Sequence, residues 1–396
     1  MPIYHQLGTF PQKRHVVYRR PDGGLYAEEL MGHEGFIGTS SLLYHTHPPT
    51  TIVRARKVAN VKWEADEDTS LRHRHFLTSR VRRGGSATMS RIPLLFNADI
   101  AMSYVEPDVL DAHFYRNSQA DEVVYVVEGS GVLESVFGDL PYKPGDYVVI
   151  HRNILHRWRL DPAAPSKLLV MESAGHIRWP RRYRNEYGQL LEGAPFSERD
   201  IRRPQVLEPR DERGEFSLYV KQYDAINELV LDHHPFDVVG WDGYFYPWAF
   251  NIHDFEPIVG RIHQPPPVHQ TFQGDGFVIC SFCPRPYDFD PNAIPAPYNH
   301  SNVDSDEVLF YASSEFMSRK GIEYGSITHH PDGLPHGPHP GRTEASIGAK
   351  YTNELAVMMD SFRALKVAKD ALAIEDPKYH LSWIDQQHAA FSPPTS

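Results

Sequence analysis

Asp121-Glu122-Val123-Val124-Tyr125 and Asp306-Glu307-Val308-Leu309-Phe310 are two copies of one pattern, an acid pair that opens an apolar run. A histidine follows each glutamate at a similar distance, His156 after 34 residues and His336 after 29. Self-similarity on this scale calls for two related units, and two copies of one β-unit would account for the 396 residues. The expected division is an N-terminal domain over 1–185 and a C-terminal domain over 186–396.

The local patterns are those of short strands. Glu122 to Glu128 is a run of β-branched and aromatic residues, and Gly129-Ser130-Gly131 then turns the chain into Val132–Phe137, which reads as a hairpin. Pro144-Gly145-Asp146 makes a further turn before a strand over Tyr147–Ile150. With 33 Pro and 27 Gly, the chain favours many short antiparallel strands over long helices, hence a sandwich or barrel. Glu354–Leu372 stands apart. Its apolar residues Leu355, Met358, Met359, Phe362 and Leu365 have helical spacing, and propensity alone predicts a helix there.

The net charge of −11 repels phosphate backbones and anionic lipid heads, so neither nucleic acid nor membrane is an expected partner. No run approaches about 18 apolar residues, and the first residues lack a basic-then-apolar leader pattern, so a cytoplasmic location is expected. Cys280 and Cys283 form a lone CxxC inside an apolar run, which reads as two buried thiols. The arginines between Arg178 and Arg203 lie among acids and aromatics and read as a solvated connector or subunit contact.

The 23 histidines carry the chemistry. His300, a carboxylate a few residues on, and His336 can meet on one face of a β-barrel. Two neutral imidazoles and one carboxylate leave open cis positions on an octahedral metal, as in the facial triad of non-haem Fe(II) oxygenases. Zn²⁺ could take the same donors but has no redox chemistry for O₂. The carboxylate is Glu307 or its neighbour Asp306, which point to opposite faces of a strand; Glu307 is preferred because its side chain is longer and Glu122 repeats it. The first copy has Tyr115 where the second has His300, so Glu122 and His156 read as a degenerate site, with His113 as a remote substitute. His45-Thr46-His47 lacks a carboxylate at strand distance, His263 is a loop histidine, one of His329 and His330 should face the site, and His339 could replace His336.

The block Leu231–Trp241 with Asp242-Gly243 and Tyr246-Pro247, the segment Leu25–Leu30, and the loop Pro335-His336-Gly337-Pro338 together resemble the homogentisate 1,2-dioxygenases in their compact bacterial form. The resemblance implies an all-β-dominated double cupin, two jelly-roll barrels with few short helices. It implies one Fe(II) on His300, Glu307 and His336, His263 as the base, and His330 in contact with substrate. His336, Tyr324 and Phe316 would also border the substrate. It turns Glu354–Leu372 into β-structure and makes the protein a trimer or hexamer. Two departures stand out: Phe316 occupies the place of a substrate-contacting tyrosine, and the His-to-carboxylate spacing is one residue longer than in animal members. The expected reaction is ring opening of homogentisate by O₂ to maleylacetoacetate, in tyrosine and phenylalanine catabolism. A gentisate-type or other hydroquinone cupin dioxygenase, and a cupin that binds a metal or ligand without turnover, are the alternatives.

Overall fold

The computed structural model describes residues 3–222, 224–260 and 266–384. Its contacts divide the chain into two units: Met1–Trp63 with Arg82–Ile92 and Met102–Asp254, and Glu64–Val81 with Pro93–Ala101 and Phe255–Ser396. Residues 186–254, expected in the second domain, therefore lie in the first unit, and two short early segments belong to the second. Strands dominate, and among the described residues the one α-helix is Arg342–Ser346. The all-β expectation holds.

In the first unit the strand Asp121–Glu128 runs antiparallel between Asp146–Ile150 and Lys167–Ser173. Both edges are taken and Asp121–Val127 is buried throughout, which is why its sequence is continuously apolar and not alternating. Each fully buried valine here contributes about 1.5–3 kcal/mol. Trp248–Asn251 and Ile201–Arg202 extend this sheet. A second sheet contains Leu140–Tyr142, Gly131–Ser135, His156–Leu160 and Phe114–Asn117 in that order. Glu122 of the first sheet meets Tyr115 and Asn117 of the second, so the two sheets face each other as layers of a sandwich.

The expected hairpin does not form. Gly131–Ser135 pairs with Leu140–Tyr142 and His156–Leu160, in the other sheet from Asp121–Glu128. The Gly129-Ser130-Gly131 turn carries the chain across the sandwich. Gly129 sits at φ +85°, and a Cβ there would fall 2.5 Å from the Pro165 carbonyl oxygen, so only glycine fits this corner.

The second unit is built on an antiparallel sheet in the order Gln270–Gly274, Phe277–Phe282, Ala356–Ser361, Asp306–Tyr311, Ser326–His330, Arg74–Leu77. The segment with helical spacing is thus a central strand, Ala356–Ser361, followed by the short strand Lys366–Val367 and a 3₁₀ turn at Lys369–Ile374. Met358 and Met359 point to opposite faces and both are buried. A strand covered on both sides shows no period-2 signal, and its apolar positions then match a helix by accident.

Candidate metal centre

Strand alternation separates the two acids of the second copy. Asp306 accepts hydrogen bonds from His329 Nε2 at 2.9 Å and from the backbone N–H groups of Asp332 and Leu365 at 2.9 and 2.7 Å. It is spent on holding loops. Glu307 faces the other way, with His300 Nε2 at 3.7 Å from Oε2 and His336 Nε2 at 3.2 Å from Oε1. Donor atoms of His300, Glu307 and His336 all lie within 4.8 Å of one another.

His300 and His336 stand on irregular segments, and backbone pairing aligns them. Each N–H donates to the other's carbonyl at 2.8 Å, an antiparallel bridge that sets the rings 4.2 Å apart. The bridge requires Gly337, since a Cβ there would lie 2.2 Å from Asn299 Oδ1. His330 Nδ1–H donates to Glu307 Oε1 at 2.9 Å, and the Tyr379 hydroxyl lies 3.4 Å from its Nε2. That pairing fixes the tautomer of His330 and the direction of the carboxylate.

Burial pushes Glu307 up, but the three imidazoles around it outweigh burial and hold it well below the ordinary carboxylate range. Burial keeps His330 well below its ordinary value, hence neutral. Both ring nitrogens of the buried His336 lack a hydrogen-bond partner. A buried imidazole with two orphaned nitrogens beside an ionised carboxylate is a donor set that fits a divalent metal.

The first unit supplies a control. Asp121 repeats the role of Asp306, accepting from His151 Nδ1–H at 2.8 Å and from the backbone N–H groups of Arg152 and Ile177 at 2.9 and 3.1 Å. Ser173 and Ser361 each donate to the carbonyl two residues on, Gly175 and Arg363, at 2.8 and 2.9 Å. By the same register Glu122 corresponds to Glu307, and Glu172 to Asp360. Around Glu122, however, Arg91 supplies the cation, with Nη2 at 2.8 Å from Oε2, and Asn117 and Tyr115 complete the cage. Lys221 and Arg91 also reach Glu172. In the second unit no arginine or lysine among the described residues hydrogen-bonds Glu307 or Asp360. Burial first, then the charge of Glu307, pushes Asp360 up to about 8. The first unit carries its own cation and the second leaves a place for one.

A cavity of about 310 Å³ opens on His300 and Glu307, lined also by Phe282, Leu309, Phe316, Met358 and the guanidinium groups of Arg285 and Arg319. Phe316 therefore borders the centre. Tyr324 is 39% exposed and is not part of the lining. His330 and His336 are buried behind it, His330 as a partner of Glu307. His263 lies outside the described residues. His339 is engaged elsewhere, with Lys320 N–H donating to its Nδ1 at 2.8 Å and Ser382 Oγ at 3.2 Å from Nε2. His45 is held between Asp237 and Glu29 at 2.7 and 3.1 Å, carboxylates that lie far off in sequence or across the strand pair, and this places it in an ion-pair network. Cys280 and Cys283 are buried and form no disulfide among the described residues, and burial pushes Cys283 up to about 11.

Asp360, Arg91, His73 and Tyr379 escaped the sequence reading. Met171-Glu172-Ser173 against Met359-Asp360-Ser361 is the signal that would have found the first. Nothing local marks His73, whose ring meets His336 edge-on at 6.0 Å.

The family model described as Homogentisate 1,2-dioxygenase N-terminal matches residues 51–252. A Saccharolobus solfataricus protein named as a putative dioxygenase is 42% identical over 386 residues, covering 97% of this chain and 99% of its own length. The chain belongs to the homogentisate 1,2-dioxygenase family. Within that family, the homogentisate 1,2-dioxygenase of Nitrobacter hamburgensis is 27% identical over 270 residues, 64% of this chain and 58% of the relative. That of Bradyrhizobium diazoefficiens is 25% identical over 271 residues, 65% of this chain and 59% of the relative. The match thus spans under two thirds of these two relatives. A cupin 2 conserved barrel domain protein from Leptotrichia buccalis superposes with a TM-score of 0.33 at 11% identity, covering 77% of this chain and all of that one. The family-model match includes Arg91 and Glu122 but stops short of His300, Glu307 and His336. No helix among the described residues is long and apolar enough to cross a membrane.

Proposed function

We propose that this chain is a non-haem Fe(II) dioxygenase that opens the ring of homogentisate to maleylacetoacetate, incorporating both atoms of O₂. The observation that carries the reading is the meeting of His300, Glu307 and His336, the first two opening on a largely apolar cavity and the third buried behind it, in a member of this family. These three residues would hold the metal. When bound there, Fe(II) supplies the one-electron chemistry that O₂ needs to react with a closed-shell ring, and the Lewis acidity that makes a phenol easier to ionise.

The protein's own part is positioning and electrostatics. His330, donating to Glu307, keeps the carboxylate aimed while substrate comes and goes. Phe282, Leu309, Phe316 and Met358 offer flat apolar walls that would orient an aromatic ring and exclude water. Arg319, fully buried at the cavity wall, gives the pocket a positive potential that favours an anionic substituent such as an acetate arm. His263 is proposed as the acceptor of the phenolic proton, a role suited to an imidazole near neutral pH.

Phe316 supports a second reading, a related hydroquinone such as gentisate, because the place of the family's substrate-contacting tyrosine is held by a ring without a hydroxyl. An oxygen electrode distinguishes the readings. Protein loaded anaerobically with Fe(II) is given homogentisate or gentisate separately. Oxygen uptake stoichiometric with homogentisate alone is the expected result. Uptake with gentisate alone moves the substrate to the second reading, and none with either, in iron-loaded protein, leaves a metal-binding cupin without turnover.

A further inference from the structure

We propose that His33, His176 and Asp121 form a second divalent-metal site, in the first unit and separate from the Glu307 centre. Their donor atoms lie within 4.8 Å of one another, with His176 Nδ1 3.7 Å from Asp121 Oδ2. His33 Nε2 and His176 Nδ1 are both buried, and neither has a hydrogen-bond partner. A buried nitrogen left unmatched is uncommon, and two beside one carboxylate call for a shared partner.

The surroundings prepare these atoms as donors. Thr39 Oγ1 lies 3.3 Å from His33 Nδ1; accepting a proton there leaves the lone pair on Nε2, the arrangement that metal-bound imidazoles adopt. Burial first, then the charges of His151 and His176, brings His33 down to about 3, so the ring is neutral. His151 is a support and not a ligand, because Nδ1 lies 2.8 Å from Asp121 Oδ2 and Nε2 accepts from Trp248 Nε1–H at 3.2 Å. His33 stands just before a tight turn in which Glu34 and Phe36 take left-handed backbone at φ 52° and 72°, strain that residues other than glycine accept mainly at functional positions. In the second unit the corresponding acid, Asp306, takes the same kind of donors, one histidine and two backbone N–H groups, but no pair of imidazoles with orphaned nitrogens groups with it among the described residues.

Two imidazoles and one carboxylate suit a borderline cation of the Zn²⁺ class in tetrahedral coordination. The fourth position would be served by a cavity of about 290 Å³, which His33 and His176 line together with Arg178, Trp179, Arg184 and Trp248. Two guanidinium groups there favour water or a small anion as the last ligand.

The test uses Co²⁺ as the probe on metal-free full-length protein. In H300A/H336A, which removes the Glu307 centre, one equivalent of Co²⁺ should bind and give the visible absorption of a tetrahedral ion. Adding H33N/H176N should abolish it. No Co²⁺ uptake by H300A/H336A that keeps its circular dichroism overturns the proposal, as does uptake unchanged by H33N/H176N. If H300A/H336A does not fold, the measurement is made on the otherwise wild-type chain. There H33N/H176N must lower uptake from two equivalents to one, and an unchanged stoichiometry overturns the proposal.

Discussion

Arg91 grips Glu122 with both terminal nitrogens, at 3.0 and 2.8 Å, on the residue that the chain's internal repeat equates with Glu307. One half of the protein neutralises its buried glutamate with a covalently attached cation. The other surrounds the same residue with imidazoles.

Removing Arg91 should therefore damage folding and leave the metal centre intact. Arg91→Met strands Glu122 and Glu172, both buried, without their guanidinium, and breaking a buried pair from one side costs about 3–5 kcal/mol. Denaturant unfolding should register that loss, with the metal-binding stoichiometry of the Glu307 centre unchanged. Adding E122Q should restore part of the stability, because the uncompensated charge goes with it. An Arg91→Met variant as stable as wild type would contradict this account.

Neighbouring acids should give opposite phenotypes. Asp306→Asn sets an amide N–H against donors that now have no acceptor, at about 1–3 kcal/mol, and leaves metal binding within a few-fold of wild type. Glu307→Gln should keep the fold and lower metal affinity by more than the roughly 10–100-fold expected for a supporting residue such as His330→Asn. Metal analysis beside thermal melts separates the two.

Asp360 makes the metal-free protein sensitive to pH in a defined direction. Its carboxyl is raised from 3.8 to about 8, by burial and then by Glu307. Between those values the folded protein holds a proton that the unfolded chain releases. Stability from this group is therefore present at low pH and lost as pH rises toward 8. Wild-type Tm should fall relative to D360N between pH 5 and pH 8, and equal slopes would count against the shift.

Phe316→Tyr places a hydroxyl in the wall of the cavity. If the pocket takes an aromatic acid, one new hydrogen bond of about 0.5–1.5 kcal/mol should lower KM about 2–10-fold, with kcat little changed. Steady-state kinetics with homogentisate tests this, and a raised KM would mean that the hydroxyl meets no acceptor.

His300, Glu307, His336 and the duplicated acid pair were legible in the chain because each rests on residue identity and spacing. Strand composition likewise gave the β class, since β-branched runs between glycine and proline turns have few other uses. Partnership between sheets was not legible. The Gly129–Gly131 turn reads locally as a hairpin, and only the filling of both edges of Asp121–Glu128 sends the next strand to the other sheet. Ala356–Ser361 reads as a helix because burial on both faces erases the alternation that marks a strand. The choice between Asp306 and Glu307 needed tertiary structure in a stronger sense. Both are acids at the head of one strand, and what separates them is which side of the sheet holds the loops and which holds the histidines. Arg91 and Asp360 lie 31 and 53 residues from the glutamates they act on. The sequence by itself determined which chemical groups are available and that they come in two sets; the folded chain alone decided which set meets a guanidinium and which is left for a metal, because charge compensation in a buried site depends on distances that no local pattern encodes.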